Sequence, residues 1–190
     1  IGADLQALGV SNRNIKTGLK FYADFYGDLT NYNVAAIVKD GVFVYDNNTY
    51  LLGNLDATAH VRTDTTSVAI NNKILDLRLE SNTDPVTFSE ALKRHVFSYF
   101  YRDSKISDSI TNPVNLTLKG HIAQSTLLDE VFLVNLKDLD TVAIAVDFNE
   151  SKRQLKADIT APHINYSDFE VDSLAITMNT DSDKFLFNFY

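Results

Sequence analysis

Leu139-Asp-Thr-Val-Ala-Ile-Ala-Val-Asp-Phe-Asn149 places Val142, Ile144, Val146 and Phe148 on one side, and Thr141, Ala143, Ala145 and Asp147 on the other. Side chains along a strand point alternately to opposite faces, so a two-residue period predicts a strand with one apolar face. The period continues downstream. After the turn residues 149–153, Leu155, Ala157 and Ile159 form the next apolar face. Ala161-Pro162 is expected to break that strand, because proline cannot donate to a ladder. Short strands are then expected around Ile164 and Tyr166, around Phe169 and Val171, and around Leu174, Ile176 and Met178. A turn over 179–183 leads to a last strand carrying Phe185, Phe187 and Phe189. A ladder of such strands is a sheet with one continuous apolar face.

The same pattern runs through the N-terminal half. Residues 3–8 are compatible with a short helix ended by Gly9. Leu19, Phe21, Ala23 and Phe25 alternate with Lys20, Tyr22, Asp24 and Tyr26. Asp40-Gly41 is a strong two-residue turn signal and predicts a hairpin between 34–39 and 42–45. Leu55 to Val61, Val68 to Ile70, and Leu75 to Leu79 again show a period of two. The period then changes. Phe88, Ala91, Leu92, His95, Val96, Tyr99 and Phe100 follow helical spacing, which predicts an amphipathic helix over 87–101. Asp84-Pro85 supplies an N-cap and a first-turn proline. The stripe is wide and aromatic. It suits a helix packed on the sheet, or a lid formed by Phe88, Leu92, Val96, Tyr99 and Phe100.

The polar segment 102–113 is the candidate boundary between two β units, 1–104 and 105–190. A second short helix is expected near 126–136. The expected fold class is mostly β: consecutive antiparallel-type strands plus one or two amphipathic helices, with an apolar face that must pack on another sheet, roll on itself or hold an apolar ligand.

Bulk composition narrows the function classes. The chain has 190 residues, enough to bury a core. Its formal charge is −8 with no Lys/Arg cluster, which argues against a nucleic-acid groove. There is no Cys, hence no disulfide framework or thiolate chemistry. None of His60, His95, His121 and His163 stands three to five residues from another, so no local metal-ligand spacing exists. Asn179, Asp181 and Asp183 open like a calcium loop, but Lys184 and Tyr190 stand where such a loop needs Gly and Glu. Asp138 with Asp140 is a weak acid/base candidate, since neighbouring carboxylates are common in turns. Seven dispersed Gly give neither a phosphate loop nor a dinucleotide fingerprint. The expectation is no enzyme, no cofactor and no metal. The chain begins without Met and ends within a strand pattern, so it is expected to be a fragment of a longer protein.

Several stretches together resemble the TamB family (translocation and assembly module) of the AsmA-like superfamily, in its Bacteroidota version. They are Tyr45-Asp-Asn-Asn-Thr-Tyr-Leu-Leu-Gly-Asn-Leu-Asp56, Leu77-Arg-Leu-Glu-Ser81 with the aromatic Ser98-Tyr-Phe-Tyr101, and Leu139-Asp-Thr-Val-Ala-Ile144 with Phe148-Asn149. The most telling is Leu155-Lys-Ala-Asp-Ile-Thr-Ala-Pro-His-Ile-Asn-Tyr166 followed by Val171-Asp-Ser-Leu-Ala-Ile-Thr-Met-Asn179. The resemblance implies a long periplasmic protein held in the inner membrane by a helix outside this segment. It implies strands rolled into an open U-shaped trough, the β-taco, with an apolar interior, the units 1–104 and 105–190 both being parts of one continuous trough. It also implies a role in carrying phospholipid between the membranes or in outer-membrane protein assembly. The partners it implies are phospholipid acyl chains and an outer-membrane barrel partner of the TamA/Omp85 type.

On these grounds the leading expectation is a segment of a periplasmic lipid-conducting trough. The residues expected to line its groove are Val142, Ile144, Val146, Phe148, Leu155, Ile159, Leu174, Ile176, Phe185 and Phe187. A register error of one residue would invert that face. The rival is a closed β-sandwich binding or adhesion module that recognises a protein or glycan, with Tyr22 and Tyr26 as contacts. A third reading is a scaffold that pairs outer-membrane strands along an open seam.

Overall fold

Asp46 and Asn47 take left-handed backbone conformations in succession (φ 49° and 62°) and pair Tyr45 with Asn48. Two such residues in a row make the tight turn whose twist matches a hairpin. The computed structural model describes residues 2–100, 111–132, 136–167, 169–181 and 184–190, without the side chain of Phe132. Its strands are β1 (Gly2–Asp4), β2 (Lys16–Gly27), β3 (Tyr32–Tyr45), β4 (Asn48–Arg62), β5 (Thr65–Asn71) and β6 (Leu75–Ser81). After helix α1 (Pro85–Phe97) come β7 (Asn115–Ile122), a π-helical turn α2 (Leu127–Phe132) and β8 (Leu136–Leu139). The last strands are β9 (Val142–Asn149), β10 (Gln154–Tyr166), β11 (Phe169–Thr180) and β12 (Phe185–Phe189).

All twelve strands belong to one antiparallel sheet, in the order β1-β2-β3-β4-β5-β6-β7-β9-β10-β11-β12, with β8 joined to β10. Among the described residues no pairing links β12 back to β1, so the sheet is open. The β6–β7 pairing, Leu75 with Ile122 through Ser81 with Leu116, carries the ladder across the two sides of 101–110. It is a single sheet, not two facing ones, and its form is an open trough.

Several local expectations change. Residues 5–9 form turns after β1 rather than a helix. Asp40-Gly41 does not reverse the chain. One left-handed residue, Asp40 (φ 53°), makes a bulge inside β3, and Gly53 (φ 73°) stands opposite Gly41. The bulge keeps Phe43 and Tyr45 in the core and turns Leu51 outward, 71% exposed, while Tyr50 is buried. Pro162 does not end β10. It sits where the neighbour on one side changes from β9, last paired at Thr160, to β8, first paired at Ile164. The missing N–H therefore costs no ladder bond. The separate strands expected around Phe169 and Leu174 are one strand, β11.

Helix α1 starts where its cap directs. The Val86 and Thr87 N–H groups donate to Asp84 Oδ1 at 2.9 and 3.0 Å, and Pro85 fills the first turn. The helix ends at Phe97, so Tyr99 and Phe100 follow it in a turn; Tyr101, expected as its last residue, lies outside the described residues. The second helix is shorter than expected: Leu127–Phe132 is π-helical, 133–135 lie outside the described residues, and Leu136 begins β8.

Candidate functional site

Cross-strand register arranges the inward side chains in rows that cross the sheet. The first row runs Val61, Thr66, Ser81, Leu116, Phe148 and Leu155, and the Leu155 N–H donates on to the Thr180 hydroxyl. The second contains Val68, Leu79, Leu118, Val146, Ala157 and Met178. The third runs Ala57, Ile70, Leu77, Gly120, Ile144, Ile159 and Ile176. A fourth includes Leu75, Ile122 and Val142, with Ala161 and Leu174 farther along. The opposite face is mainly polar. Behind the third row stand Asp56, Asn71, Asp76, His121, Ala143 and Thr160. With a strand spacing of about 4.8 Å, the strands from β4 to β11 that carry the third row make that stripe about 29 Å long.

Helix α1 covers the first row and part of the second. Ala91 is fully buried with Val114, Leu116, Phe148 and Leu155, and this cluster is flanked by Phe88, Leu92 and Val96 from the helix and by Leu79, Val146 and Met178 from the sheet. Two polar latches hold the helix down. His95 Nε2 shares a 2.7 Å hydrogen bond with the Thr180 hydroxyl, which also accepts the Leu155 N–H at 2.7 Å. Burial lowers the pKa of His95; Glu150 works against this and Arg153 with it. Glu150, itself buried, accepts from the Val114 N–H at 3.0 Å and from the Arg94 guanidinium at 3.2 Å. Beyond the helix, Tyr99 and Phe100 pack edge-on or tilted against Phe185, at ring separations of 5.7 and 5.5 Å.

The far end of the strands has a second cover. Leu127 and Val131 of α2 are buried with Ile15 and Tyr50, flanked by Leu5, Phe43, Leu52 and Ile74. Tyr50 donates to Glu130 at 2.5 Å, and Arg13 donates to the Val131 carbonyl at 2.8 Å. Asp129 Oδ1 is buried without a partner among the described residues, and that burial raises its pKa.

Between the covers lies the third row. None of its members is buried, and none belongs to either core cluster among the described residues. This stripe is the candidate site: aliphatic, without a charged or hydrogen-bonding side chain, and partly open to solvent. Gly120 leaves a notch in it, because a Cβ there would stand 2.9 Å from the Asp76 carbonyl oxygen of the neighbouring strand. The arrangement can take up apolar matter by burial but offers no group for proton transfer or nucleophilic attack.

The residues expected to line a groove fall on one face, but not in one environment. Ile144, Ile159 and Ile176 are in the open third row, with Val146 in the second and Val142 and Leu174 in the fourth. Phe148 (1% exposed) and Leu155 (5%) are corrected: they form the seat of α1 and are sealed beneath it. Phe185 lies against Tyr99 and Phe100, and Phe187 is 57% exposed on the edge strand β12. Of the lid residues, Phe88, Leu92 and Val96 face the sheet; Phe100 is 64% exposed.

Sequence reading missed two polar groupings outside the stripe. His163 Nδ1 is 2.7 Å from Asp172 Oδ1, while its Nε2 lies 3.9 Å from Glu170 and 4.0 Å from Asp138. These groups meet only through the β8–β10–β11 pairing. No spacing along the chain reveals them, although the acidic run Glu170, Asp172 opposite a lone strand histidine is a usable signal once β10 and β11 are paired. Across the sheet, a shallow cleft of about 500 Å³ beside Gly41 and Gly53 has a polar wall that includes Asn54, Asp56 and Asn71.

No helix of the described residues is long and apolar enough to cross a membrane. Compared with protein-family models, curated proteins and solved structures, the chain matches none.

Proposed function

We propose that the chain is a segment of a periplasmic trough of TamB type that carries phospholipid between the inner and outer membranes. The single observation that carries this reading is the third row: an aliphatic stripe crossing the sheet, uncovered between two helical lids. An apolar face of this extent left open on a folded chain calls for an apolar occupant. Acyl chains gain about 0.8 kcal/mol per CH₂ on burial and need no polar anchor. A charge-free stripe suits such cargo, because a conduit must hold it without fixing it at one point. The resemblance of the strand sequences to TamB supplies the compartment, and with it an outer-membrane barrel partner of the TamA/Omp85 type. A sandwich that seals its own core fits less well, since one open sheet is present instead of two facing ones.

The test is the lipid content of the protein expressed in a bacterial periplasm and purified without detergent. Native mass spectrometry of the intact chain is expected to find co-purified phospholipid. Ile144→Arg and Ile176→Arg, placed in the stripe, should each lower its occupancy at least tenfold. The outward Ala143→Arg should leave it unchanged. A folded protein that carries no phospholipid in any form contradicts the proposal.

A further inference from the structure

We propose that His163, Glu170 and Asp138 form a binding site for a transition-metal dication such as Zn²⁺, with Asp172 as the positioning residue. The site joins three strands. Asp138 on β8 and Glu170 on β11 are both the cross-strand partners of Asn165 on β10, and Asp172 is the partner of His163. The two carboxylates therefore flank β10 from either side, one row beyond His163, and Leu139, Ile164 and Val171 occupy the alternate positions.

The orientation of the imidazole distinguishes this cluster from scattered surface charge. Nδ1 is engaged by Asp172 at 2.7 Å, which fixes its proton there and leaves the Nε2 lone pair directed at Glu170 and Asp138. A metal-bound histidine has this same requirement: its second nitrogen donates to a carboxylate that sets tautomer and ring orientation. His163 is only 23% exposed, so the ring is held, while Asp138 and Glu170 are 54% and 64% exposed. Ligand atoms on a tetrahedral metal with bonds near 2.0–2.1 Å stand about 3.4 Å apart. The 3.9 Å from Nε2 to Glu170 closes to that value with a small rotation of an exposed side chain, and Asp138, 4.0 Å from Nε2 on the other side of β10, has to swing in over the ring to complete the set. Charge points the same way. Even a protonated His163 leaves three carboxylates with a net of −2, and a dication bound to the neutral ring offsets that excess. One imidazole with oxygen ligands suits zinc or its first-row neighbours better than calcium, which takes oxygen ligands alone.

The experiment is equilibrium dialysis of the purified 190-residue chain against ZnCl₂, with bound metal counted by elemental analysis. One equivalent is expected to bind saturably, with a dissociation constant in the micromolar range. His163→Ala should abolish that equivalent. Glu170→Gln should weaken it at least tenfold. Asp172→Asn should weaken it by roughly 10- to 100-fold, as loss of an orienting carboxylate does. His121→Ala, at an exposed histidine elsewhere on the sheet, should leave it unchanged. Glu170→Gln also serves should His163→Ala fail to fold. No saturable zinc below about 100 μM, or undiminished binding in both His163→Ala and Glu170→Gln, overturns the proposal.

Discussion

His95 on α1 and Thr180 at the end of β11 share a buried hydrogen bond of 2.7 Å, 85 residues apart in sequence. Through it the helix is fastened to the same hydroxyl that satisfies the Leu155 N–H. Thr180→Val keeps the shape but leaves that buried N–H without an acceptor, which costs about 1–3 kcal/mol. The variant is expected to melt several degrees lower, with α1 losing amide-exchange protection before the central strands do.

The same contact makes the lid sensitive to acid. Burial lowers the folded-state pKa of His95 below its ordinary 6.5. As pH falls through 6.5 the unfolded chain takes up a proton before the folded chain does. Stability from the neutral ring is thus complete above that pH and is lost below it. His163 acts in the opposite sense, because Asp172 raises its pKa. The difference between wild type and His95→Gln isolates the lid. Denaturant titrations at pH 7.5 and pH 5 should show the wild-type advantage shrinking at the lower pH.

Asp129 should show a different pH dependence. Its buried, unpartnered oxygen and raised pKa mean that the folded chain holds its proton more tightly than the unfolded chain. That group costs stability as pH rises above about 3.8. Asp129→Asn is expected to raise the melting temperature at pH 7, with the gain vanishing near pH 3.5. A gain equal at both pH values would point to packing instead.

Helix capping and the glycine notch give two further checks. Asp84→Ala should destabilise the protein by about 1 kcal/mol, since Asp84 accepts from two backbone N–H groups of the first turn. Gly120→Ala puts a methyl 2.9 Å from the Asp76 carbonyl oxygen, on backbone that cannot easily yield. A cost of about 1–3 kcal/mol is expected, as for other overpacked sites. Both values can be read from urea titrations.

Much of this architecture was legible in the sequence because alternation survives pairing. Val142, Ile144 and Val146 share a face by themselves, and antiparallel register then aligns them with Leu118, Ile159 and Ile176. The start of α1 was legible for the same local reason: Asp84-Pro85 acts on its immediate neighbours. What failed was non-local. Asp40-Gly41 has the residues of a tight turn, but the chain reverses at Asp46-Asn47, where two consecutive left-handed residues are available. Pro162 read as a breaker because a change of neighbour, from β9 to β8, is invisible in sequence. Phe148 and Leu155 look like any other inward residue of the pattern. Only the position of α1 separates its seat from the open stripe. The carboxylates around His163 come from two other strands, β8 and β11, and share no motif.

The most direct test of the central claim is site-specific photo-crosslinking in living cells. A photoreactive residue is placed at Ile144, in the uncovered third row, and at Ala143, its outward neighbour. The account predicts phospholipid crosslinked at 144 and none at 143. Equal labelling at both positions, or none at 144 in a folded protein, would contradict it.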